Sequence, residues 1–337
     1  MTDRKSHRVK AIFSDLDGTI VHFPAWFEEH GSKIVSYDPD DKTKGVVESP
    51  SGEQRDCRVL PSSTMGPGMV SLKTVELVDA LRAEGVLFVV VTAARKSTLM
   101  ERLPLLPICD AAVCETGSRI YLQGGDGTLS GGLSSTPDPE FEALVAPISG
   151  PLEREMDVDE RPEPLWQFFR TLRSEVVGLK CDSRSYYGCF RVDTKDDPAV
   201  DAKLREVIAA NLPDGVDWAM NLGKYDFFPR VSGKGNAVAY LQNKWGVSAE
   251  ESCCLFDDDN DIAMANKCGM HLLPGLTSDS VKRAAAEHPE WMVADAAGQG
   301  VFAIEECLEK LLERVRRDKA EDAAEKAAGL VGQEQPA

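Results

Sequence analysis

The chain has 337 residues, enough for one large domain or two modest ones. Its 42% hydrophobic and 28% charged content is ordinary for a soluble globular enzyme. A net charge of -18 argues against a nucleic-acid polymer or an anionic membrane surface as partner, but leaves room for a small anionic substrate at a locally basic site.

The N-terminus, Met1 to Arg8, is short and polar and reaches an apolar run at once, which leaves no room for a secretory h-region. No stretch approaches the length of a transmembrane helix. Nine cysteines occur without a C-x-x-C pair, and Cys253-Cys254 lies in an apolar run, so buried thiols in a reducing compartment are expected. These features together point to the cytoplasm.

In chain order, residues 9–14 read as a buried parallel strand that ends on Asp15-Leu16-Asp17-Gly18-Thr19-Ile20. Residues 28–68 carry strand-like pieces at 33–37, 45–48 and 56–60, separated by Asp-Pro and Pro-Ser-Gly turn signals. A β-hairpin flap over the edge of the first strand is expected there. Ser71 caps a helix that ends at Gly85, and residues 86–91 form a second buried strand, ending on Thr92. A helix near 97–103 and a strand at 111–114 follow.

Glycine-rich sequence at 124–132 marks a boundary. Residues 125–229 then read as a smaller α+β unit. Its helices are expected near 138–146, 163–177 and 198–211, and its strands near 186–193, 216–221 and 225–228. The mixed polarity of those strands suits a one-sided antiparallel sheet. The α/β pattern resumes with a helix at 235–245, a strand at 252–256 and a helix at 261–267. Short strands at 272–273 and 291–293 precede a last helix at 301–317, and residues 318–337 read as a flexible tail. The expected organisation is a Rossmann-like parallel-sheet core made of 1–124 and 230–317, with an inserted α+β cap at 125–229.

Chemistry in open α/β sheets collects beyond the carboxyl ends of the strands. Asp15 and Asp17 sit at such an end, and their desolvation calls for a cation, for which magnesium is suited. Thr92 ends another strand, with a hydroxyl and neighbouring N–H groups able to donate to a phosphate. Ser232-Gly233-Lys234-Gly235 puts a point charge between glycines at a helix start. Phe256-Asp257-Asp258-Asp259-Asn260-Asp261 packs four carboxylates into five positions, which would repel strongly without a divalent ion. Singly, Thr92 reads as a β-former and Lys234 as a surface lysine; the specific signal is the four motifs in this order.

That order resembles the haloacid-dehalogenase superfamily of phosphohydrolases: Asp15 to Thr19, then Thr92, then Lys234, then Asp257, Asn260 and Asp261. The insertion of about 140 residues between Thr92 and Lys234 stands where that family carries its C2-type cap. Its element order is similar to the C2B subtype of Cof-like, sucrose-phosphate and mannosyl-phosphoglycerate phosphatases. The stretch from Cys114 to Ile120 resembles the family's lead into the cap, and Phe227 to Gly235 resembles the return from it.

The resemblance implies Asp15 as nucleophile, forming an aspartyl-phosphate. It implies Asp17 as the acid and base, with a pKa high enough to hold a proton. Thr92 and Lys234 would hold the transferring phosphoryl group, and Asn260 would donate to it or orient Lys234. Magnesium would take Asp15, the backbone carbonyl of Asp17, and Asp257; Asp258 and Asp261 would contact it directly or support its ligands. The sequence departs from the pattern at Phe256, before Asp257, and at Ala93-Ala94-Arg95, after Thr92. Arg95 is therefore carried only as a substrate contact. In the cap, Arg184, Tyr187 and Lys224 are specificity candidates, together with Tyr186, Arg191 and Tyr225, while Trp166, Phe168 and Phe169 read as cap core. The expected activity is hydrolysis of a small phosphorylated metabolite, a sugar phosphate before a nucleotide or cofactor monophosphate. The rivals are a phosphomutase of the same fold and a non-catalytic binding module. Oligomeric state is left open.

Overall fold

The computed structural model describes residues 8–63, 65–124, 127–151, 156–221 and 223–331. The start of the polar N-terminus, residues 125–126 of the glycine-rich boundary and the last part of the tail lie outside the described residues.

The largest sheet has seven strands, in the order Met292–Val293, Met270–Leu273, Ser252–Leu255, Ala11–Ser14, Leu87–Val91, Ala111–Cys114, Arg119–Leu122. Six of these run parallel, with Phe13 opposite both Cys254 and Val89. The central strands are apolar throughout because both faces are covered. Alternation divides them. Ile12, Phe88 and Val90 join the helices Leu72–Ala83 and Val301–Val331 in one core layer; Phe13, Val89 and Val91 join the helix Lys234–Trp245 in the other. Parallel direction brings the residues just past each strand to one edge, so Asp15, Thr92 and Asp257 become neighbours although 242 positions separate the first from the last.

The seventh strand, Arg119–Leu122, runs antiparallel to Ala111–Cys114. The sequence hid it inside the lead into the cap. Between the two strands Glu115, Thr116 and Gly117 all take left-handed backbone (φ 51°, 54° and 85°), which folds the chain back sharply. Gly117 lies so close to the returning chain that a Cβ on it would stand 2.3 Å from the Gly233 carbonyl carbon.

The expected hairpin after the first strand is a four-stranded antiparallel meander: Lys33–Tyr37, Lys44–Glu48, Gln54–Val59 and Met69–Ser71. The fourth strand escaped notice because it has three residues and runs directly into a helix whose N-cap is Ser71. His22 and Met69 exchange backbone hydrogen bonds (3.0 and 2.8 Å) and close the insertion at its base, next to the Asp15 loop. Val47, Cys57, Val59 and Met69 pack with Phe27, Val301 and Phe302, and Arg55 reaches Glu305 at 2.7 Å. The meander is thus docked on the start of the last helix. That helix runs to Val331, past its expected end at 317, and Arg316 and Lys319 both reach Glu84.

The smaller α+β unit has helices Pro139–Ser149, Pro164–Glu175 and Pro198–Asn211. Each begins on a proline at the first helical position, where the missing N–H costs nothing, and Asp138 and Asp197 cap two of them. Its antiparallel sheet has the order Val216–Asn221, Lys224–Pro229, Phe190–Asp193, Lys180–Asp182. Trp166, Phe168 and Phe169 pack with Phe190, Tyr225 and Phe227 as its core. The nine cysteines are free, eight of them buried. Among the described residues no helix is long and apolar enough to cross a membrane.

Candidate active site

At the strand edge the Lys234 ammonium lies 2.6 Å from Asp15 Oδ1 and 2.6 Å from Asp261 Oδ1. Asp15, Asp257 and Asp261 bring one carboxylate oxygen each to within 4.8 Å of one another, and all three are buried. Lys234 opens its helix after Gly233, whose φ of 90° turns the chain inward. Thr19 donates to Asp257 Oδ1 at 2.7 Å, and Thr277 donates to the Asp257 backbone oxygen through both its N–H and its hydroxyl. Gly18 (φ 100°) permits this approach, since a Cβ there would stand 2.2 Å from Asp257 Oδ2.

The charges in this group interact strongly. Burial, then Asp15 and Asp261, hold the Asp257 carboxyl well above the carboxylate range. Burial and Asp15 push Asp261 up to about 8, against the pull of Lys234. Burial opposes the charge on Lys234, but Asp15 and Asp261 outweigh it and hold the ammonium above its ordinary range. One cation faces three acids, and Asp261 Oδ2 is buried without a hydrogen-bond partner. A hard divalent cation with oxygen ligands fits that deficit.

Thr92 is buried at the end of its strand; its N–H goes to Val113, and its hydroxyl oxygen accepts from Ala94 N at 3.0 Å, so the hydroxyl proton remains for another acceptor. Asp17 is bound by Arg102, Nη1 to Oδ1 at 2.7 Å. Burial raises the Asp17 pKa; Arg102 opposes the rise and Asp15 adds to it. Asp15, Asp17, Thr92, Arg102, Lys234 and Asp257, with Asn260 and Asp258, line one cleft of about 720 Å³, while Asp261 lies buried behind it.

Arg95 also lines the cleft and ties the two parts of the molecule together. Its guanidinium lies 2.5 Å from Asp182, donates to the Arg184 carbonyl at 2.8 Å, and stacks 4.6 Å over the Tyr186 ring. From the small unit, Tyr186 in the loop before the strand Phe190–Asp193, and Arg191 and Asn221 in the sheet, reach the cleft. Arg191 and Asn221 converge on Asp226, which Arg191 grips through two nitrogens at 2.5 and 2.7 Å. The other cap candidates stand elsewhere. The Arg184 side chain is 84% exposed and folds back on Asp182. Tyr187 gives its N–H to Glu115 and its ring to Arg161. Lys224 faces Asp193 at 3.8 Å and does not line the cleft, and Tyr225 is in the hydrophobic core of that unit.

The insertion also lines the cleft, through His22, Trp26, Glu29, His30 and Met65. None of these was singled out from the sequence, and neither was Arg102, which lies in the last turn of the helix Lys96–Arg102. His22 is buried, and the burial lowers its pKa from 6.5 to about 3 despite a hydrogen bond to the Thr19 backbone. The unfolded chain therefore takes up a proton below pH 6.5 that the folded chain refuses, so this contribution to stability is full above 6.5 and is lost as pH falls toward 3. Between pH 7 and pH 5 the wild type should lose about 2 kcal/mol more stability than His22→Asn, measured by urea unfolding of both.

Residues 157–317 match the family sucrose-6F-phosphate phosphohydrolase. No curated protein matches the chain. Among solved structures, the sucrose-phosphatase of Synechocystis sp. PCC6803, in complex with sucrose and phosphate, is 15% identical, with a TM-score of 0.54 over 88% of this chain and 96% of that one. A Thermoplasma acidophilum protein is 13% identical (TM-score 0.55; 90% and 99% covered), and one from Streptococcus mutans UA159 is 14% identical (0.54; 93% and 99%). At these identities the likeness to the solved structures is one of fold. The family match over residues 157–317, and the four motifs that meet at one sheet edge, make the chain similar to the haloacid-dehalogenase superfamily of phosphohydrolases.

Proposed function

We propose that the chain is a magnesium-dependent phosphatase that hydrolyses a small phosphorylated metabolite through an aspartyl-phosphate on Asp15. The observation that carries this reading is the Lys234 ammonium 2.6 Å from both Asp15 and Asp261, with Asp257 alongside. Asp15, the Asp17 carbonyl and Asp257 would hold magnesium, with Asp261 beside them. When bound, the ion supplies positive charge opposite the nucleophile and the phosphoryl oxygens.

In the first half Asp15 attacks phosphorus, and the leaving oxygen takes its bonding pair and a proton from Asp17. In the second half Asp17 accepts a proton from water, which attacks the phosphoryl group and frees Asp15. Thr92 and Lys234 hold the group in both halves, and Asn260, which lines the same cleft, would donate to it or orient Lys234. Residues 125–229 act as the cap, and its Tyr186, Arg191 and Asn221, with Arg95 from the core, are the contacts near the leaving group. A sugar phosphate is the preferred substrate class, supported by the sucrose-6F-phosphate phosphohydrolase match and by the hydrogen-bonding groups on the cap wall. The unpaired cysteines suit a cytoplasmic setting.

The test is phosphate release from sugar phosphates and nucleoside monophosphates, with magnesium and with EDTA. EDTA should abolish release. Magnesium should also raise the melting temperature of the wild type by several degrees, because it binds the folded carboxylates. Release that persists in EDTA would remove the metal from the proposal. Isomerisation of a sugar phosphate without net release would favour a mutase.

A further inference from the structure

We infer that Arg102 is a positioning residue that holds Asp17 in its acid–base orientation. The inference rests on the proposed function of Asp17. Arg102 ends the helix Lys96–Arg102, which starts just behind Thr92 and is anchored by buried Leu99. Its side chain is only 5% exposed, and it donates to Asp17 Oδ1 at 2.7 Å. The guanidinium also lies 5.8 Å from the Phe23 ring centroid, and Phe23 in turn packs edge-on against Trp26 at 5.1 Å. The guanidinium is therefore fixed from two sides, by the helix that carries it and by aromatic residues at the base of the insertion.

A buried arginine spent on the loop beside the nucleophile is a costly structural device, because its charge needs a partner wherever it sits. Here that partner is the carboxyl group that must give up a proton and then take one. A guanidinium suits this task. It stays charged through both halves of the cycle and offers only donors, so it neither supplies nor removes the proton in transit. With Oδ1 held by Arg102, Oδ2 is left to carry the proton. As the bridging oxygen leaves phosphorus with its bonding pair, the proton passes from Oδ2 to that oxygen. In the second half a proton from water returns to the same atom. The carboxyl does not have to rotate between the two events.

The experiment compares Arg102→Met, Arg102→Lys, Asp17→Asn and the double variant Asp17→Asn/Arg102→Met. Two substrates are used: a sugar phosphate that the wild type turns over, whose alkoxide must be protonated to leave, and p-nitrophenyl phosphate, whose phenolate leaves without a proton. Arg102→Met should lower kcat on the sugar phosphate by about 100-fold, within the range that general acid–base catalysis supplies, while KM changes little. The burst of p-nitrophenolate in the first turnover reports P–O cleavage alone and should stay within about threefold of wild type, since that step needs no acid. In the Asp17→Asn background, loss of Arg102 should cost little more, because the two act as a unit. Arg102→Lys keeps a donor and a charge and should recover part of the loss. If Arg102→Met fails to fold by thermal melting, Arg102→Lys carries the test and should show the same selective loss, only smaller.

Equal losses on both substrates would overturn the inference by showing a structural residue. A rise in KM alone would overturn it in favour of a substrate contact. Faster turnover without Arg102 would overturn it by showing that the pair restrains Asp17. If Asp17→Asn itself keeps full activity on the sugar phosphate, the reading of Asp17 fails, and the inference fails with it for that distinct reason.

Discussion

Asp15→Asn should release no phosphate above background from any sugar phosphate, a loss of about 10⁴-fold or more. The change keeps the shape and removes the charge and the nucleophile together. An amide in this position forms no stable acyl phosphate, so the loss belongs to kcat rather than to substrate binding. The same change should stabilise the metal-free protein. Asp15 is the charged neighbour that most raises both Asp257 and Asp261, and its removal lifts that repulsion. Wild type and variant, melted in EDTA, should therefore rank opposite to their activities. Magnesium should stabilise the variant less than the wild type, because one of its expected ligands is gone. Turnover by Asp15→Asn at the wild-type rate would refute the covalent route.

Lys234→Met should damage both activity and stability. Lys234 is the buried ammonium that both Asp15 and Asp261 reach at 2.6 Å. Without it, buried carboxylates face one another with no counter-charge. Breaking a buried pair from one side costs about 3–5 kcal/mol, which urea unfolding in EDTA at pH 8 would show. The pH dependence has a definite sign. The folded carboxyls of Asp257 and Asp261 already titrate above their unfolded values, and losing the lysine removes the charge that holds Asp261 down. Folding then favours the protonated forms, so the variant should be more stable at pH 5 than at pH 8. Magnesium should restore part of the loss at pH 8 by replacing the missing charge. Activity should fall by about 100-fold or more, since in the proposed mechanism the phosphoryl group loses the lysine that would hold it. A variant as stable as wild type at pH 8 in EDTA would show that the carboxylates do not depend on the lysine.

The catalytic edge was legible because parallel strands announce themselves as unbroken apolar runs, and because chemistry at their ends follows from direction alone. Asp15, Thr92 and Asp257 needed no knowledge of packing to be brought together. The cap wall was less legible. Tyr186 and Tyr187 are adjacent in sequence, yet one lines the cleft and the other serves the Glu115 junction, a difference set by a turn and not by composition. Arg191 reaches the cleft because its strand pairs with the one carrying Asp226, and pairing register cannot be read from a single chain. Arg102 carried no signal at all, because its importance lies in a contact spanning 85 positions. The meander was half legible: three strands announced themselves through turn residues, while Met69–Ser71 was too short to show a period of two.

The contact of Gly117 with Gly233 gives the molecule an axle. Gly117 turns the chain between the last two strands of the large sheet, Gly233 caps the helix Lys234–Trp245, and the two backbones meet with no side chain between them. Lys234 is the next residue along. Rotation of the small unit about that point would swing Tyr186 and Arg191 through a long arc while moving the lysine very little. A small unit turning about that point could move far and still leave the charge balance around Asp15 undisturbed.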